Sequence, residues 1–119
     1  MLRKKEEASI CTASGGVLRD LISLARDAGE EAYVSGSNWI EMPHVKRVVD
    51  QLGNSYLRGL GPAHIKALLM LDKTKSFDVN LPVNLELLAT RRVLEYSATD
   101  FRVHPALLPL VIKPEAQIA

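Results

Sequence analysis

The chain has 119 residues, with 15 Lys and Arg against 14 Asp and Glu and a formal net charge of +1. Its composition therefore carries neither a basic field for nucleic acid nor an acidic solvating tail. With 47% hydrophobic and 24% charged residues it reads as one small globular unit with a real core. The single Cys11 excludes an internal disulfide framework and fits a reducing cytoplasm, and no apolar run approaches the roughly 20 residues of a membrane helix.

Residues 1–13 are polar and weakly patterned, and read as a flexible segment. Met1 to Glu7 is charged and has no apolar run behind it, so it is not a secretory signal. From Gly16 to about Ser35, Val17, Leu21, Leu24 and Ala28 recur with a helical period. Ser14 reads as the start of that helix, since a serine hydroxyl accepts from an orphan backbone N–H. Gly36-Ser37-Asn38 ends it. Trp39, with Ile40 and Met42, then reads as a staple between two helices.

A second long helix is expected from Pro43, a favoured first helical residue, with Val45, Val48, Val49, Leu52, Tyr56 and Leu60 on one face. Pro62 opens a third helix carrying Ile65, Leu68, Leu69 and Leu71, and a short apolar helix covers Pro82 to Ala89. The period then drops to two. Arg92 to Tyr96 and Phe101 to His104 predict a β-hairpin across the four-residue loop Ser97-Ala98-Thr99-Asp100. Ala106 to Ile112 is a last short helix, and 113–119 is tail. The expected fold is mostly α with a small β-hairpin. Helix, helix, helix, hairpin is the order of a winged-helix unit, here residues 61–112 with the hairpin at 92–104.

Ser14-Gly15-Gly16-Val17-Leu18-Arg19-Asp20-Leu21 stands out chemically. The helix macrodipole disfavours a cation in a first turn, so Arg19 gains nothing locally, and the glycine pair permits close approach. This segment resembles the sensor-2 segment of AAA+ and related STAND-type P-loop ATPases. Val93-Leu94-Glu95-Tyr96 and Val103-His104-Pro105 are similar to the hairpin region of C-terminal domains attached to such ATPases. The resemblance implies that residues 14–60 are lid-like helices forming a nucleotide-sensing site, with Arg19 facing the γ-phosphate of ATP held by a P-loop core of the same polypeptide or another subunit, and Gly15 and Gly16 permitting close approach to that core. A guanidinium suits that task, because it grips phosphate oxygens bidentately and loses its partner on hydrolysis.

No G-x-x-x-x-G-K-[ST] loop occurs in the chain. On this reading it binds no cofactor alone, is not itself an enzyme, and leaves ATP and Mg to the complete ATPase. His44, His64 and His104 have no metal-ligand spacing, and Cys11, Ser14 and Ser23 have no nucleophile-base pattern. A winged-helix DNA-binding regulator and a protein–protein adaptor are the alternatives. The would-be recognition helix, Pro82 to Ala89, holds one acid and no base. Lys73, Lys75, Arg91, Arg92 and Arg102 leave only a weak nucleic-acid contact on the wing side. A protein partner on the winged-helix-like unit is the stronger expectation, and no membrane partner is expected.

Overall fold

The computed structural model describes residues 2–112. It is mostly helical with one small antiparallel hairpin, in the order α1 (Lys4–Ser14), α2 (Leu18–Val34), α3 (Met42–Leu57), α4 (Pro62–Thr74), α5 (Pro82–Ala89), β1 (Val93–Ser97) and β2 (Asp100–Val103). A short helix, α6, follows at 108–112. The tail expected at 113–119 lies outside the described residues.

The apolar residues of α1, α2 and the first half of α3 close one core around Ile10, Leu24, Ala28, Ala32, Ile40, Val45 and Val48. A second core gathers Leu68, Leu71, Leu87, Val93, Phe101, Val103, Leu107 and Val111. Tyr56 of α3 belongs to this second core, and Leu52, one turn earlier, packs against both. Thus α3 is shared, and a boundary at residue 60 cuts behind a helix whose last turns already sit in the C-terminal core.

Several local expectations are corrected. Residues 4–13 are helical rather than flexible: α1 is held because Ile10 and Ala13 are buried against α2 and α3, a tertiary gain that its weak pattern hides. Ser14 does not start α2. It is the last residue of α1, where its hydroxyl donates to Cys11 O at 2.7 Å and accepts the Gly16 N–H at 3.3 Å. The staple between α2 and α3 is Ile40, buried in the first core and bridged to Leu2, whereas Trp39 is half-exposed beneath the Arg3 guanidinium. The hairpin strands run further than expected, with Ser97 pairing Asp100, so only Ala98 and Thr99 make the loop. The last helix starts later than Ala106, after a turn at 105–107. The helix expected over 82–89 matches α5.

Two glycines show where the fold is tightest. Gly53, inside α3, faces the turn after the hairpin: a Cβ there would collide with the Ala106 carbonyl oxygen and come within 2.9 Å of Leu110 Cδ1. Gly29, inside α2, has open space at the same point. Gly53→Ala should therefore destabilise the chain by about 1–3 kcal/mol through overpacking. Gly29→Ala should stabilise it by roughly 0.5–1 kcal/mol through helix propensity alone. Urea midpoints of the two variants, measured side by side, give the opposite signs.

Candidate functional site

The first turn of α2 places two opposite charges next to each other, and both come near the Tyr56 hydroxyl. Arg19 is exposed, whereas Asp20 is buried. The Asp20 carboxylate lies between the two halves of the chain. Its Oδ2 accepts the Tyr56 O–H at 2.7 Å from the end of α3, and lies 2.8 Å from His104 Nε2 just beyond β2. The rings of Tyr56 and His104 stack at 4.6 Å between centroids.

The neighbours of His104 fix its protonation. Its Nδ1 accepts the Ala106 backbone N–H at 3.1 Å, so the ring proton sits on Nε2 and is donated to Asp20. Burial pushes the His104 pKa below its usual 6.5, against the pull of Asp20. Burial, then the hydrogen bond and charge of Asp20, push the Tyr56 hydroxyl above its usual 10.0, and the nearby Arg19 guanidinium opposes them. A fully buried imidazole, a buried carboxylate and a buried phenol thus form a closed clamp joining α2, α3 and the hairpin unit.

The glycines beside this turn serve packing. Gly15 caps α1 in the left-handed conformation, and its carbonyl accepts the Tyr96 hydroxyl at 2.7 Å. A Cβ on Gly15 would meet Leu94 Cδ1 at 2.6 Å and Pro105 Cδ at 2.8 Å. The close approach anticipated at the glycine pair is therefore made at Gly15 by the hairpin, and only Gly16 faces open space. Arg19 is the one member of the expected sensing set with an exposed functional group.

Of the five basic residues expected near the hairpin, Lys75 and Arg102 line one groove beside β2. Arg92 is structural: Nε donates to Tyr56 O at 2.6 Å and Nη2 to Arg58 O at 2.8 Å, satisfying carbonyls at the end of α3. Arg102 is held by Asp100 at 3.0 Å and lies over the Tyr96 ring. Lys75 caps α4 and pairs with Asp72 at 3.5 Å. Lys73 and Arg91 have no ion-pair partner among the described residues. The exposed face of α5 offers Leu85 and Glu86, and Glu86 is 3.2 Å from His64 Nε2. That face has an acid and an apolar side chain where a DNA reader needs bases.

His44 and His64 share a device the sequence did not disclose. His44 Nδ1 accepts the Glu41 N–H, and His64 Nδ1 the Gly61 N–H, each closing the start of its helix. Their Nε2 atoms then reach Ser35 and Glu86 on neighbouring elements. A histidine three residues beyond a helix N-cap, as in Glu41-Met42-Pro43-His44 and Gly61-Pro62-Ala63-His64, is the signal that could have shown it.

No protein-family model, curated protein or solved structure matches this chain. The fold and the clamp therefore carry the functional argument by themselves.

The clamp has a definite pH signature. The fold binds neutral His104, so its contribution is complete above pH 6.5 and declines as the pH falls below that value. The fold also binds neutral Tyr56, so that contribution is complete below pH 10.0 and is lost as the pH rises through the raised value. Asp20→Ala leaves both donors without an acceptor and should cost about 3 kcal/mol at neutral pH. Urea midpoints across pH check both points: His104→Gln should flatten the acid limb, and Tyr56→Phe the alkaline one.

Proposed function

We propose that the chain is a C-terminal regulatory module of a P-loop ATPase, in which Arg19 engages the terminal phosphate and the hairpin unit passes the response to a partner. The observation that supports this reading is the pairing of Arg19 and Asp20 in one helical turn. Arg19 is open to an anion, while its neighbour is clamped to the C-terminal half through His104 and Tyr56. A force on the exposed guanidinium is thereby applied to a turn that the hairpin unit holds directly.

The guanidinium also lies close enough to Tyr56 to lower the pKa of its hydroxyl. The donor set fits one phosphate contact. On this reading ATP and Mg belong to the P-loop core, which supplies the hydrolytic chemistry. Arg19 would bind and orient the phosphate, while residues 61–112 carry the output.

The test is steady-state ATP turnover by the P-loop core carrying this module, wild type against Arg19→Ala. In the isolated chain Arg19→Ala should change stability by no more than about 0.5 kcal/mol, because the site is exposed. In the ATPase, losing a charge-assisted contact of about 1.5–3 kcal/mol should reduce turnover or nucleotide affinity roughly 10–100-fold. Unchanged turnover together with unchanged nucleotide affinity would overturn the sensing role.

A further inference from the structure

We infer that the two grooves flanking α4 form a docking face for an amphipathic helical segment of a protein partner, apolar along one stripe and flanked by acidic residues. One groove, of about 790 Å³, runs between the start of α4 and Ile112 over Leu60, Ile65, Leu69 and Met70. The other, of about 400 Å³, lies on the adjacent stripe of α4 against Phe77, Leu81 and Val83. They share the ridge formed by Lys66 and Met70, one helical turn apart. Met70 is 54% exposed and Leu81 49%. Apolar side chains of that size, contiguous with a concave floor, make a docking surface of the helix-in-groove kind.

Charge selects the occupant. Lys66 and Lys73 stand on the rim of the larger groove, and neither has an ion-pair partner among the described residues. Of the acids on the two grooves, Asp72 is already held by Lys75 and Asp78, on the smaller groove, accepts the Asn80 N–H, so the free charge on the rim is that of the lysines of the larger groove. A basic rim over an apolar floor fits a partner with Asp or Glu flanking its apolar anchors. A second copy on a two-fold axis would set lysine against lysine on the same face. Two lysines over an apolar floor are also too few for phosphate-backbone binding. The inference supplies the partner class for the output half of the proposed module. It does not depend on Arg19, which lies on α2.

The probe is a fluorescein-labelled peptide of about 18 residues with leucines at helical spacing and glutamates on both flanks, titrated with the full chain and followed by anisotropy. A matched peptide carries lysines in place of the glutamates. The glutamate peptide should bind saturably and more weakly as salt rises, and the lysine peptide at least tenfold more weakly. Lys66→Glu/Lys73→Glu should reverse that order, Met70→Ser should weaken binding to both variants of the chain, and Arg19→Ala should leave it unchanged. Equal binding of the two peptides, or indifference to the lysine reversals, would overturn the proposal. So would self-association of the chain in sedimentation that Met70→Ser abolishes, or binding of a free peptide of residues 113–119 at the same face.

Discussion

The structure depends on one buried carboxylate. Removing Asp20 from water is costly, and the fold offsets that cost with two donors from residues 36 and 84 positions away in sequence, Tyr56 and His104. Neither donor is free to leave. Tyr56 is built into the C-terminal core, and His104 is held by its backbone bonds to Arg92 and Leu107 and by Ala106 on its other ring nitrogen. A carboxylate held this way demands geometry more strictly than apolar contact does, since a small displacement leaves three buried polar groups unpaired. It therefore specifies how α2, α3 and the hairpin meet.

Around that contact, other interactions repeat the same joint. Arg92 ties the start of the hairpin to the last carbonyls of α3, Tyr96 reaches the Gly15 carbonyl, and Gly53 lets the 105–107 turn approach the α3 backbone. Four residues from different parts of the chain thus seal one seam. The seam runs beside the turn that carries Arg19, since Asp20 of the same turn bonds Tyr56 and His104.

Much of the fold was legible because the helices have strong periodic faces and clear punctuation. Pro62 and Pro82 mark helix starts, and the change of period after Ala89 announces the hairpin. α1 was not legible, since its helix is held by a few residues such as Ile10 against other elements. The role of Ser14 was misread because a serine ahead of two glycines serves a helix end as readily as a helix start. The site was half legible. Arg19 stood out as a cation placed against the helix dipole, but nothing in the sequence singled out Asp20. Its burial depends on Tyr56 and His104, and no spacing rule connects residues so distant. His104 read as a strand-end residue beside a proline for the same reason.

The central claim is that the Asp20 clamp makes the two cores one cooperative body. Native-state hydrogen exchange across low urea concentrations tests it most directly, comparing amides of Leu24 and Ala28 in α2 with those of Val93 and Val103 in the hairpin. The account predicts one opening free energy and one urea dependence for both sets, with the hairpin set separating to a lower value in Asp20→Ala. Two distinct opening energies in the wild-type chain, unaltered by Asp20→Ala, would contradict it.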